Sequence, residues 1–232
     1  MAAKLIDLSF TLNGRKVKVQ IAPDTMLFAL LREQGCASVR CACETTNCGL
    51  CTVWLDGDPV LSCSVPAARV EGHTITTLEG LKAESEALAR AMAAEGAEQC
   101  GFCAPGLIMN VLALARAAKD DPSIVATREE LSRQLAGNLC RCSGYESQLR
   151  AIVRFLNESG VQVGFEMPEL PVNDTSCDGV SYKQITHKQP KKDSKALLEG
   201  RPVYTGDMVP AGALIVKLKR SPYARAKIRS ID

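Results

Sequence analysis

Apolar and polar positions alternate at the start of the chain. Ile6, Leu8 and Phe10 alternate with polar residues, and so do Val17, Val19 and Ile21. Between the two runs stands Asn13-Gly14, a dipeptide that supplies positive φ for a two-residue turn, so the pattern predicts an opening β-hairpin. Over Asp24–Gln34 the period lengthens: Met26, Leu27, Leu30 and Leu31 recur at helical spacing and Gly35 ends the run. Short strands are predicted at Thr52–Leu55 and Val60–Cys63, joined by Asp56-Gly57-Asp58, with a further strand at Thr74–Thr77.

Beyond Glu79 the helical period takes over. Leu81–Glu95 reads as a helix stopped by Gly96, and Pro105–Ala117 as a stronger one carrying Leu107, Ile108, Val111, Leu112 and Leu114. Thr127-Arg-Glu-Glu130 fits a capping box opening a third helix. Leu149, Ile152, Val153 and Leu156 mark a fourth, closing near Gly160. Strands followed by helices predict an α+β chain with two small domains, at residues 1–78 and 79–163. Residues 164–195, with Pro168, Pro171, Pro190 and several lysines, read as a linker. A further unit is expected over 196–232, with strands at Ala213–Leu218 and Ala226–Ile231 on either side of Ser221-Pro222. So short a piece rarely forms a core alone and is expected to pack on something else.

Composition adds three points. The chain has 232 residues, 46% hydrophobic and 23% charged, which excludes a largely disordered protein. Its net charge of +2 is uneven: residues 1–176 carry a net −5 and residues 177–232 a net +7, consistent with differently built segments. Aromatic residues are sparse and no recognition motif is present, which argues against nucleic acid as a partner. No apolar run approaches the roughly 18 residues of a membrane span, and the start does not read as a secretory signal, so a cytoplasmic location is expected.

The unusual feature is cysteine. There are eleven, ten of them between Cys36 and Cys142, against only two histidines, His73 and His187. In a reducing compartment such clusters bind metal or do redox chemistry rather than form disulfides. Cys43, Cys48, Cys51 and Cys63 form C-x4-C-x2-C-x11-C, whose first three members follow the spacing of plant-type 2Fe–2S ligation. Gly49 suits the sharp turn such a loop needs, and its amide could face the sulfurs. Cys100, Cys103, Cys140 and Cys142 form C-x2-C followed by C-x-C, all at or just before helix starts, where free amides and partial positive charge suit an anionic group. Structural zinc on four cysteines is the chemical alternative at either set. Cys36, Cys41 and Cys177 are left without a partner and read as buried or incidental thiols.

The residues also carry a family resemblance. Cys43-Glu-Thr-Thr-Asn-Cys48-Gly-Leu-Cys51-Thr-Val, Gln99-Cys-Gly-Phe-Cys103-Ala-Pro-Gly and Leu139-Cys-Arg-Cys-Ser-Gly-Tyr145 resemble the iron–sulfur part of the molybdenum hydroxylases, over about residues 4–160. These are the relatives of xanthine dehydrogenase, aldehyde oxidoreductase and carbon monoxide dehydrogenase. The resemblance implies an N-terminal β-grasp, ferredoxin-like domain followed by an all-α four-helix domain, each with one 2Fe–2S cluster. Residues 200–207 and 218–232 resemble the opening of the molybdopterin-binding portion, a partial α/β hammerhead segment, so that the chain stops inside a domain and is either truncated or split.

Carried over by position, Cys43, Cys48, Cys51 and Cys63 would ligate the outer cluster, and Cys100, Cys103, Cys140 and Cys142 the inner one. Gln99 and Cys142 would touch the pterin, while Tyr145 and Arg141 would serve structure. The implied partner is a molybdopterin-binding subunit or domain, with a flavin-binding subunit or another acceptor downstream. The implied function is the electron-transfer unit of a molybdenum-dependent oxidoreductase that does not turn over substrate alone. A free-standing ferredoxin-like carrier and a zinc-stabilised interaction module are the rival readings. Thr46 and Ala42 stand where the family usually has glycine. If position 46 needs φ > 0, its β-branched side chain costs roughly 1–2 kcal/mol.

Overall fold

The structure, a computed structural model, describes residues 5–168 and 191–230, together with the backbone of Ser176–Cys177 and Val180–Ser181. Five strands form one sheet: β1 (Ile6–Leu12), β2 (Arg15–Ile21), β3 (Thr52–Leu55), β4 (Asp58–Leu61) and β5 (Thr74–Thr76), in the order β2-β1-β5-β3-β4. β1 and β5 run parallel; the other neighbours are antiparallel. The hairpin forms where Asn13-Gly14 predicts it, with φ of 50° and 78° at the two turn residues. Leu8 pairs with Val19 and Phe10 with Val17, and the pleat turns Leu8, Phe10 and Leu12 into the core.

Helix α1 covers that face over Leu27–Glu33, shorter than the predicted Asp24–Gln34. Met26 is extended because it bridges to Pro66, so the helix cannot begin before it. Leu27, Leu30 and Leu31 are buried against Leu8, Phe10 and Ile75, each such side chain contributing about 1.5–3 kcal/mol. The second hairpin also departs from expectation. Its turn is Asp56-Gly57 alone, both at positive φ, and Asp58 already belongs to β4. Cys63 therefore lies in a 3-10 turn, Ser62–Ser64, just beyond the strand, and not in a strand.

The helical part comprises α2 (Lys82–Ala94), α3 (Ala104–Asp120), α4 (Arg128–Leu135) and α5 (Tyr145–Glu158). Thr127 caps α4 by accepting from the Glu130 amide at 3.1 Å. The reciprocal half of the expected box is replaced: the Glu130 carboxylate accepts from Arg133 and Gln134. Leu88, Met92, Ile108, Val111, Ile152 and Leu156 form this core. Trp54 of β3 joins it; its indole donates to the Met109 carbonyl at 3.1 Å, and Arg116 lies 4.1 Å over the ring. Trp54 is thereby one of the buried side chains that pack the sheet against the helices.

Most of the expected linker, with Pro171, Cys177, His187 and Pro190, lies outside the described residues. Both of its ends pack. The Gly164 amide donates to Ala126, while Phe165 and Met167 rest on the helical core. From Lys191 a short helix, α6 (Ser194–Leu198), buries Leu197 and Leu198. The strands expected at Ala213–Leu218 and Ala226–Ile231 do not form: residues 208–230 carry no strand, and Leu214 is 95% exposed. Alternation makes a strand only where another strand takes its hydrogen bonds, and among the described residues none does so here.

Candidate metal centres

The loop Cys41–Cys51 curls on three left-handed residues, Glu44 (φ 51°), Thr46 (φ 62°) and Gly49 (φ 73°). Position 46 thus does need positive φ, and threonine stands there under strain. The curl turns amides onto sulfur. Those of Asn47 and Thr45 point at Cys43 Sγ, and together with contact from the Cys48 thiol they bring the Cys43 thiol down to about 6. Burial pushes Cys48 up, opposed by the amides of Leu50 and Ala42. Burial, followed by contact with Cys51, pushes Cys63 up to about 12. Gly49 supplies the turn, whereas the amides that serve the sulfurs are those of its neighbours.

The second quartet sits where two helices begin. Cys103 immediately precedes α3, and Cys140 and Cys142 lie in the turn before α5, with Ser143 at φ 57°. All four cysteines line one small cleft, with Gln99 and Gly144 at its wall. The Phe102 amide points at Cys100, the Gly144 amide donates to Cys140 Sγ at 3.4 Å, and Gln148 Nε2 donates to Cys103 Sγ at 3.5 Å. Burial pushes Cys103 up to about 12.

Within each quartet the thiols meet in twos: Cys43 with Cys48, Cys51 with Cys63, Cys100 with Cys142, and Cys103 with Cys140. Among the described residues no three Cys, His, Asp or Glu side chains gather closely enough to share one metal ion. Four thiolates on one zinc, each about 2.3 Å from it, would all lie within about 4 Å of one another. Two pairs per site fit a binuclear centre in which each iron takes two cysteines.

The two sites abut. The Leu139 amide donates to the Cys48 carbonyl at 2.9 Å, one residue before Cys140. A Cβ on Gly49 would meet the Gly137 carbonyl at 2.3 Å, and one on Gly106 would meet the Gly49 carbonyl at 2.4 Å. Glycine is needed at both positions for the backbones to approach so closely.

Gln99 is exposed on the rim, its amide donating to the Cys142 carbonyl at 3.3 Å. Tyr145 accepts from the Cys140 amide at 2.9 Å, and Arg141 faces solvent. Cys36 is buried under Thr77, and burial raises its thiol to about 11. Cys41 is half-buried beside the first quartet. Two residues near the sulfurs escape sequence reasoning. Gln148 is a single polar side chain on the buried face of α5, and Arg40 is an ordinary basic residue until its burial is seen.

A family model described as "2Fe-2S iron-sulfur cluster binding domain" matches residues 10–76, and one described as "[2Fe-2S] binding domain" matches residues 77–153. The xanthine dehydrogenase iron-sulfur-binding subunit of Escherichia coli O157:H7 is 42% identical over 154 residues, which is 65% of this chain and 94% of that protein. The chain belongs to the iron–sulfur part of the molybdenum hydroxylase family. The aldehyde oxidoreductase of Megalodesulfovibrio gigas, also of this family, is 30% identical over 236 residues, covering 98% of this chain and 25% of that one. Among solved structures, quinoline 2-oxidoreductase from Pseudomonas putida superposes with a TM-score of 0.61 at 32% identity, covering 68% of this chain and 98% of that one. Molybdenum hydroxylase relatives thus come both as separate small subunits and as longer chains that match this one almost throughout. Among the described residues no helix is long and apolar enough to cross a membrane.

Proposed function

We propose that this chain is the electron-transfer unit of a molybdenum-dependent hydroxylase or dehydrogenase. In this reading a β-grasp domain (1–78) holds one 2Fe–2S cluster through Cys43, Cys48, Cys51 and Cys63. A helical domain (79–163) holds the other through Cys100, Cys103, Cys140 and Cys142. Bound there, each cluster would accept and release one electron at a time. The residues of the chain do the rest. Thiolates ligate, amides at Asn47, Thr45, Phe102 and Gly144 face the sulfurs and favour the more negative state, and the buried surround sets the dielectric. The observation that carries the reading is the pairwise meeting of the eight thiols in two sites joined by the Leu139–Cys48 hydrogen bond.

The second site has an exposed side. Cys100 and Gln99 are exposed there, and the Gln99 amide can both donate and accept, which suits contact with a pterin ring on a molybdopterin-binding subunit or domain. Electrons would leave from the first site toward an external acceptor, a flavin-binding subunit or another carrier. Residues 208–230 expose Leu214, Ile215, Val216, Leu218, Tyr223 and Ile228 among basic residues, an apolar stretch that the molybdopterin-binding portion would cover.

Iron and acid-labile sulfide measured on the purified chain test the cluster half of the proposal: each is expected near 4 per chain, with a red-brown colour that bleaches on reduction. A colourless protein carrying about two zinc ions would contradict it. Co-purification with a large pterin-containing chain tests the partner half. Isolation as a monomer with full clusters and residues 208–230 protected from protease would contradict that.

A further inference from the structure

The loop Gln99–Cys103 carries two of the four thiols of the second site, and its backbone carbonyls are engaged one after another. Lys191 Nζ donates to the Gln99 carbonyl. Tyr204 Oη donates to the Cys100 carbonyl at 2.6 Å. Arg40 Nη1 donates to the carbonyls of Gly101 at 2.8 Å and Phe102 at 3.4 Å. Four successive oxygens are thus held by two residues of the segment 191–207 and by one arginine of the sheet part.

Arg40 is only 3% exposed, although it carries a full charge. Its guanidinium lies 5.4 Å from the Phe102 ring centroid and 4.7 Å from that of Tyr204, and the two rings meet edge to face at 5.3 Å. The segment is seated by further contacts. Leu197 packs so tightly on Gly101 that a Cβ there would meet it at 2.6 Å, and Gly200 rests equally close on Ser38. Asp207 pairs with Arg32 at 2.8 Å. The segment itself lies outside residues 10–153, the range that the two family models match, whereas the groups it holds lie inside it.

We propose that residues 191–207 are a clamp on the second thiolate site, with Arg40 and Tyr204 as positioning residues that set the orientation of the Gln99–Cys103 peptides. A peptide whose oxygen is held away from the site presents its N–H toward it, and the Phe102 amide does point at Cys100. Amide donors aimed at sulfur stabilise the more negative, reduced centre. Loosening the clamp therefore lowers the electron affinity of the second site and leaves the first unchanged. The buried charge of Arg40 acts in the same direction.

The inference rests on the cluster reading above, and one experiment separates the two. In an EPR-monitored redox titration of the full chain, the wild type should give two 2Fe–2S signals; their absence overturns the cluster reading and the clamp with it. With both signals present, Y204F should shift only the second-site signal to more negative potential. R40Q should shift it further, by about a tenfold loss of electron affinity, ~59 mV for a one-electron couple. R40K, which restores the charge without the forked donor geometry, should recover part of that shift. Two unmoved signals, or an equal shift in both, would overturn the clamp. Should R40Q fail to accumulate, the conservative Y204F decides alone.

Discussion

The backbone carbonyl of Cys48 accepts a hydrogen bond from the amide of Leu139 at 2.9 Å. Cys48 belongs to the first thiolate site and Leu139 adjoins Cys140 of the second, so one hydrogen bond and a few covalent bonds link two sulfur sites 92 positions apart in the chain. The closeness depends on glycines that have no room for a side chain.

That dependence is testable at Gly49 and Gly106. Alanine at either drives a Cβ to 2.3–2.4 Å from a backbone oxygen, and at Gly49 adds the strain of φ 73°. Overpacking of this kind costs about 1–3 kcal/mol, and the left-handed backbone adds about 1–2 at Gly49. G35A is the control: φ is 85° but a Cβ there would have open space, so only the strain is paid. Urea denaturation should rank G49A as the most destabilised of the three. Equal losses for G49A and G35A would show that the loops do not pack as described.

Thr46 offers the opposite test. It sits at φ 62°, exposed, and among the described residues its hydroxyl bonds only to the carbonyl of its own neighbour, Thr45. T46G should therefore raise stability by about 1 kcal/mol, read as a higher denaturation midpoint with iron content unchanged. No gain, or loss of iron, would mean that the side chain serves the first site in some other way.

The anchor between Asp207 and Arg32 has a definite pH dependence. Burial works to raise the Asp207 carboxyl, but the Arg32 hydrogen bond, the Tyr204 amide and the charges of Arg32 and Arg40 outweigh it and hold the group below the usual carboxylate range. A depressed carboxyl contributes stability that is complete above its unfolded value, near ~3.9, and is lost as pH falls through the lower folded value. D207N should accordingly cost about 0.5–1 kcal/mol, the same at every pH from 8 to 5, with the difference shrinking only below about pH 4. A difference that already changes between pH 7 and 6 would point to another titrating group.

Much of the architecture was legible because it is local. Asn13-Gly14 announces its hairpin, and the spacing of Leu107, Ile108, Val111 and Leu112 announces α3, since turn and helix are decided by neighbouring residues. The cysteine spacing delimits both candidate sites, and the family resemblance, with glycine usual at position 46, marks Thr46 as strained if its φ is positive, as it is. Which thiols meet is not legible, because it depends on how the cysteine loops fold back on one another, and the placement of Cys63 on a turn is not, because it depends on where β4 ends. The role of Arg40 is still further from view: its partners Gly101 and Tyr204 lie 61 and 164 positions away. The alternation in residues 213–218 promises a strand that forms only with a neighbour, and among the described residues none pairs with it.

The central claim is that eight named cysteines form two independent centres, and EPR of the reduced chain with one cysteine removed at a time tests it most directly. C51A should lose one 2Fe–2S signal and about half the iron, C103A should lose the other signal and a similar share, and C41A should keep both. Loss of both signals in either single variant, or loss of a signal in C41A, would contradict the account.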